Sequence, residues 1–232
     1  MPSTLTDMPR IAIRAFKMER TMEVWGATAD RGPYRLMATF PITAMSGTLG
    51  PKRREGDLQA PEGFYQIDKL DPNPKSHLAL GLNYPNSSDR KLGSRGHLDK
   101  DVFVHGNHVS AGCFALPDSV VDKIYRLAVH AKGAGQAAIP VSIFPCRMTH
   151  PNIKWLEQEY VDQPGLIRFW GSLEPGYRSF ERTHLWPQPQ VDRHGLYAWS
   201  APKAPIAGRR ISNAPGTYSR SARVPLPAIQ SI

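Results

Sequence analysis

The sequence predicts a mainly β fold with one principal helix near its centre and a smaller helical segment after it. Three observations carry this. Proline and glycine are frequent, 22 and 19 of 232 residues, which favours turns and short strands over long helices. Strand-like apolar runs recur between turn signals from residue 11 to residue 144. Helical periodicity is clear from Pro117 to Lys132 and returns only beyond residue 150. With 41% hydrophobic and 21% charged residues, the chain can bury a core. Its length suits one substantial domain with an appendage, or two small ones.

Taken in order, residues 11–16 (IAIRAF) and 21–27 (TMEVWGA) read as strands joined by a charged turn at Lys17–Arg20. Tyr34–Ile42 alternates Tyr, Leu, Ala and Phe against Arg, Met and Thr, the period of a third strand. Residues 47–67 have the Gly and Pro content of a loop, and the run Lys52-Arg53-Arg54 is expected to be exposed. Gly63–Leu70 and His77–Leu82 follow as strands around the turn Asp71-Pro72-Asn73-Pro74, and residues 83–100 return to loop chemistry. Asp101–His105 is a short apolar strand. The main helix opens at Pro117, with Asp118 at the positive end of its dipole and Val120, Val121, Ile124, Leu127, Ala128 and Ala131 on one face; Gly133 is the expected cap. Pro140–Phe144 is the last strand. Beyond it, Asn152–Tyr160 and Leu166–Leu173 read as helices, and Glu174-Pro175-Gly176 is expected to break the second. Residues 200–232 are rich in Pro and Ser, with Lys203, Arg209, Arg210, Arg220 and Arg223 and no acid, and are expected to be mostly extended. No internal repeat is present.

The formal charge of +9 suits nucleic acid, anionic membrane or an acidic polymer. A Lys/Arg-rich helix, aromatic RNA-binding motifs and zinc-ligand pairs are all missing, which argues against nucleic acid. Cys113 and Cys146 are too few for a disulfide scaffold and lack metal spacing. No run reaches the roughly 18–20 apolar residues of a membrane span. The start, MPSTLTDMPR, has no apolar h-region, so the chain reads either as cytoplasmic or as an exported protein without its leader.

The chemistry concentrates in VHGNHVSAGCFALPD, residues 104–118. A histidine at a strand end is followed by small residues and then by Gly-Cys just ahead of a helix. A thiol becomes a useful nucleophile when a histidine or the positive end of a helix lowers its pKa. Glycine beside the cysteine lets a carbonyl approach, and backbone N–H groups near Gly112 and Cys113 are candidate oxyanion donors. Cys113 is the candidate nucleophile and His105 its base, with Ser110, Gly106 and Gly112 in orienting or oxyanion roles. Cys146 reads as a buried structural residue, and His77, His97 and His130 as structural or exposed.

This segment resembles the active-site motif of the L,D-transpeptidase catalytic (YkuD-type) domain, in which an H-G pair is followed by S-x-G-C. Here these are His105-Gly106 and Ser110-Ala111-Gly112-Cys113. The match is closer to the YafK-like branch, through Gly50-Pro51-Lys52-Arg53-Arg54-Glu55-Gly56-Asp57, Pro61-Glu62-Gly63-Phe64-Tyr65, and Leu82, Tyr84-Pro85-Asn86 and Asp89-Arg90. Many members carry S-H-G-C with an arginine two residues on, where this chain has Ala111 and Ala115. Arg54 and Arg90 are candidates to replace that positive charge.

The resemblance implies a β-sandwich-like catalytic domain over 10–148, a helical C-terminal extension over 149–199 that caps the groove, and a basic tail over 200–232. It implies a cysteine-dependent enzyme acting on peptidoglycan stem peptides through a thioester. The acyl group would pass to an amine, forming a crosslink, or to water, as in hydrolysis of stem peptides or release of peptidoglycan-linked lipoprotein. Arg54, Tyr84, Arg90 and His108 are the expected substrate-binding residues, with Tyr84, Asp89 and Arg90 equally readable as a loop-locking network. No metal or organic cofactor, nucleic acid or obligate protein partner is implied. The expected location is the periplasm, close to the membrane. A non-catalytic peptidoglycan-binding module is the reading of a different class.

Overall fold

The computed structural model describes residues 8–28, 32–72, 77–94, 98, 101–107 and 110–199. Its strands are β1 (Arg10–Phe16), β2 (Thr21–Ala27), β3 (Arg35–Pro41), β4 (Gly63–Asp71), β5 (Ala79–Leu82), β6 (Phe103–His105), β7 (Phe114–Ala115), β8 (Ile139–Phe144), β9 (Gln190–Val191) and β10 (Tyr197–Ala198). The helices are α1 (Ser87–Leu92), α2 (Asp118–Gly133), α3 (His150–Glu159) and α4 (Pro164–Thr183). The first eight strands form one sheet in the order β3-β2-β1-β8-β4-β5-β6-β7, and β9 and β10 form a small ribbon. The fold is mainly β, as the sequence indicates.

Alternation along the central strands explains how both sheet faces are buried. Ile11, Ile13 and Ala15 of β1, Tyr65 and Ile67 of β4, and Ile139, Val141 and Ile143 of β8 meet Val121, Ile124, Ala128 and Ala131 of α2. From the opposite face, Phe16, Phe64 and Phe144 meet Leu156 of α3, Phe169, Trp170, Leu173 and Tyr177 of α4, and Tyr197. Arg14 lies on this second face, ion-paired with Glu181 of α4 at 2.7 Å and centred 4.6 Å from the Phe180 ring. Residues 149–199 therefore share a core with the sheet.

Four local expectations are corrected. Residues 83–100 are not all loop: Asn86 caps α1 by accepting from Ser88 N and Asp89 N, and Asp89 closes a capping box with the Asn86 amide. The second helix of the C-terminal segment is not broken at Pro175. It runs through to Thr183, because Pro175 is exposed while Leu173, Gly176, Tyr177 and Phe180 continue the buried stripe. Helix α2 is capped by Gly135, not Gly133: Gly135 has φ 89°, and Gly135 N and Gln136 N return to Lys132 O and Ala131 O as in a Schellman motif. The basic run is not uniformly exposed, since Lys52 is 1% accessible and its ammonium reaches Asp57 Oδ1 at 2.7 Å. The 200–232 tail lies outside the described residues.

Candidate active site

The two candidate catalytic residues arrive on adjoining strands at one end of the sheet. Strand β6 pairs in parallel with β7, with Val104 opposite Phe114 and His105 opposite Ala115. Cys113, directly ahead of β7, thus sits alongside the start of β6, and Phe103 N donates to its Sγ at 3.4 Å. A donor aimed at sulfur favours the thiolate over the thiol. Cys113 is partly accessible, whereas Cys146 is fully buried. Burial pushes the Cys146 thiol up to about 12, which leaves it inert at neutral pH.

His105 is 9% exposed. Its Nδ1 meets the carbonyl oxygen of Gly106. A carbonyl only accepts, so Nδ1 carries the proton and Nε2 holds the free lone pair.

The loop before Cys113 is held by residues far away in the chain. Thr43 N donates to Ala115 O and Ala115 N to Ala44 O, each at 2.9 Å, so residues 43–44 flank β7 on its outer side. This brings Ser46 beside the loop. Gly112 N donates to Ser46 Oγ at 2.7 Å, and Ser46 Oγ donates on to Leu58 O at 2.8 Å. Ser110 Oγ donates to Cys113 O at 2.7 Å, locking the turn that presents the sulfur. Gly112 has φ 107°, and a Cβ there would meet Gln59 O at 3.1 Å. Both the backbone conformation and the close approach therefore require glycine. Its own N–H is engaged by Ser46 Oγ.

The loop ahead of β4 brings a positive charge to Gly112. Lys52 Nζ lies 3.8 Å from the position of a Gly112 Cβ and is paired with Asp57. Burial raises the Asp57 carboxyl, but the Lys52 ammonium and the amides of Arg53, Gln59 and Arg54 outweigh it and hold that carboxyl below the usual range. Sequence reasoning favoured Arg54 or Arg90 as the replacement charge. Arg54 and Arg90 are both exposed, and Arg90 lines a separate cleft with Asp68, Asn83 and Ser87. Tyr84 is 4% exposed and its hydroxyl donates to Lys52 O at 3.4 Å, so it props the loop from beneath. Asp89 is buried and takes Tyr65 OH at 3.0 Å, Arg53 Nη1 at 3.2 Å and Asn86 N at 3.0 Å, which is the loop-locking alternative. His108 lies outside the described residues. Sequence reasoning missed Ser46 and Gln59, neither of which carries a local signal, since they meet Gly112 from positions 66 and 53 residues earlier.

Helix α4 adjoins the outer side of this loop. Gly165, Leu166 and Phe169, with Tyr160 and Gln163, line a cleft of about 440 Å³ whose other wall includes Leu49, Gly50, Arg53 and Gln59. Among the described residues no group of three or more His, Cys, Asp or Glu side chains is placed to hold a metal ion. No described helix is long and apolar enough to cross a membrane.

The L,D-transpeptidase catalytic domain family (YkuD) matches residues 19–143. YafK of Escherichia coli (strain K12), provisionally named as an L,D-transpeptidase, is 36% identical over 194 residues, which is 83% of this chain and 74% of YafK. Among solved structures, the helical cell shape determining protein Pgp2 from Campylobacter jejuni aligns at 21% identity and a TM-score of 0.46, over 59% of this chain and 48% of that one. This chain thus spans about half the length of Pgp2. Bd1075 of Bdellovibrio bacteriovorus aligns at 20% identity and a TM-score of 0.41, over 75% and 63% of the two chains. By the extent of the family match and its identity with YafK, the chain belongs to the L,D-transpeptidase catalytic domain family and is an enzyme of L,D-transpeptidase type.

Proposed function

We propose that the protein is a cysteine-dependent L,D-transpeptidase of peptidoglycan, with Cys113 as nucleophile and His105 as base. The observation that carries this is the tie between His105 Nδ1 and Gly106 O. It leaves Nε2 as the basic nitrogen, two positions along the neighbouring strand from the sulfur. His105 takes the thiol proton, and Sγ attacks the stem-peptide carbonyl at the L-centre. The C–N bond to the following D-residue breaks, and His105 returns the proton to the departing amine, leaving a thioester. An acceptor amine then gives its proton to His105 and attacks the thioester, forming the new amide and releasing the Cys113 thiol.

Positive charge for stem-peptide carboxylates comes from Lys52, beside Gly112, and from the exposed Arg54 on the same loop; Arg90 and Tyr84, placed in another cleft and beneath the loop, do not serve the substrate here. Helix α4 borders the 48–59 loop, which supports a capping role for residues 149–199. Such a cap favours an amine over water as acceptor, because it limits solvent around the thioester. Peptidoglycan as substrate assigns the enzyme to the periplasm.

The test is mass spectrometry of purified muropeptides incubated with the protein and with its Cys113→Ala variant. New dimers made only by the unmutated protein are expected, and their fragmentation identifies the bond. Shortened monomers without dimers would reassign the acceptor to water. Identical profiles from both proteins would refute the reading.

A further inference from the structure

Asp118 stands apart from Cys113 and His105, yet it holds the peptide group that orients the histidine. That group, between Gly106 and Asn107, is engaged at both ends. Its carbonyl accepts from His105 Nδ1, and its N–H donates to Asp118 Oδ1 at 2.8 Å. The backbone here has little freedom. Asn107 has φ 75°, a left-handed conformation that asparagine tolerates better than most residues. A Cβ at Gly106 would lie 2.4 Å from Asp118 Oδ1 and 2.9 Å from His77 Cβ. His77 is itself fixed by Asp122 Oδ1 at 2.7 Å, and Gly106 N donates to Leu78 O at 3.2 Å.

We propose that Asp118 is a positioning residue that selects the Nδ1–H tautomer of His105 through the Gly106–Asn107 peptide. An anion at the N–H end of a peptide draws electron density toward its carbonyl oxygen, because hydrogen bonds in series polarise one another. The more negative oxygen is the better acceptor for Nδ1–H, and Nε2 is left unprotonated. The carboxylate acts one peptide removed from the ring, so it can stay exposed in the first turn of α2, where the helix dipole also favours it. The arrangement accounts for glycine at 106, since any side chain would displace the carboxylate from the amide. Of the titratable groups, His105 and Asp118 touch this peptide, and His77, paired with Asp122, packs against Gly106. The inference rests on reading His105 as the base.

Long-range proton–nitrogen NMR of the full chain decides it, with the His105 signals assigned by their loss in His105→Gln. The unmutated protein is expected to hold neutral His105 mainly as Nδ1–H. Asp118→Asn removes the charge and keeps the size and the acceptor, and Asp118→Ala removes all three. The tautomer ratio should move toward Nε2–H by roughly two- to tenfold in Asp118→Ala, the equivalent of one ordinary hydrogen bond, and by less in Asp118→Asn. An unchanged ratio in Asp118→Ala overturns the proposal, including the case where the melting temperature falls, because that is what a role confined to the end of α2 would give. Alkylation of Cys113 by iodoacetamide, compared between the unmutated protein and His105→Gln, tests the base separately. Equal rates there would remove the reading of His105 as base, while the NMR result would still decide whether Asp118 governs its tautomer.

Discussion

Replacing Lys17 by methionine strands a carboxylate inside the protein. Lys17 and Glu62 have 2% and 0% of their surface exposed. The Lys17 ammonium donates to Gly50 O at 2.7 Å and Ala60 O at 2.9 Å and lies 3.1 Å from Glu62 Oε1. Glu62 also accepts from Gly50 N at 2.7 Å and from Trp170 Nε1 at 2.6 Å. Desolvation draws the ammonium below its usual range, and Glu62 opposes that pull, so the pair is stable only while both members are present. Methionine preserves most of the packing, but leaves Glu62 without its counter-charge and two carbonyls without their donor. Removing one partner of a buried pair costs about 3–5 kcal/mol. At about 2–4 °C per kcal/mol for a chain of this size, the melting temperature should drop by roughly 6–20 °C. Urea unfolding followed by circular dichroism gives the free energy. The double variant Lys17→Met/Glu62→Leu should lose less than the two single costs summed, by about 1–3 kcal/mol, because the two charges leave together. A single-variant loss under about 1 kcal/mol, or strict additivity in the double variant, would refute the reasoning.

Iodoacetamide on the folded protein should modify Cys113 alone, since Cys146 is buried and its thiol is pushed up to about 12; a modified Cys146 peptide in the Cys113→Ala digest would contradict this. Burial raises the Asp89 carboxyl from 3.8 to about 6. The folded state therefore binds the extra proton between those values, and this group's contribution to stability falls as pH rises through that window, by about 3 kcal/mol in all. Asp89→Asn should flatten that part of the stability profile measured between pH 3.5 and 7, and an unchanged slope would count against the assignment. Ser46→Ala leaves the buried Gly112 N–H without its 2.7 Å acceptor, a loss of about 1–3 kcal/mol. Because Ser46 anchors the loop that presents the sulfur, loosening that loop should slow Cys113 alkylation as well, and a variant equal to the unmutated protein in both measures would show that Ser46 does not hold the loop.

What the sequence discloses depends on how local the cause is. Strands β1 and β2 are legible because two mostly apolar segments of strand length flank a charged turn, and α2 because its buried residues recur at helical spacing. Helix α1 is only six residues long, and its signal is a capping box at Asn86 and Asp89, not an apolar stripe. Pro175 reads as a break, because propensity cannot see that its ring faces solvent while Gly176 packs under Trp199 and Phe64. The site divides in the same way. Cys113 and His105 are eight residues apart and announce themselves together. The contributions of Ser46, Gln59 and Lys52 depend on long-range contacts, among them the pairing of residues 43–44 with the outer side of β7, that leave no trace in local pattern.

That long-range support continues through the C-terminal segment, which leads to a prediction about where the working domain ends. The family match stops at residue 143, yet Trp170 of α4 binds Glu62, Glu62 binds Lys17 and the Gly50 amide, and Lys17 holds Gly50 and Ala60 at the two ends of the loop that presents Lys52 and Gln59 to Gly112. Cutting the chain after residue 148 would take Trp170 from Glu62 and Glu181 from Arg14. It would also uncover Phe16, Phe64 and Phe144, which pack against α4 and Tyr197. Three uncovered aromatic rings amount to about 5–9 kcal/mol of lost burial, comparable to the entire net stability of a typical domain, about 5–15 kcal/mol. The truncated chain is expected to be unfolded or aggregated, without the selective alkylation of Cys113. A 1–148 protein that unfolds cooperatively and keeps that reactivity would show that the β sheet and α2 suffice, and would reduce residues 149–199 to a cover over the groove.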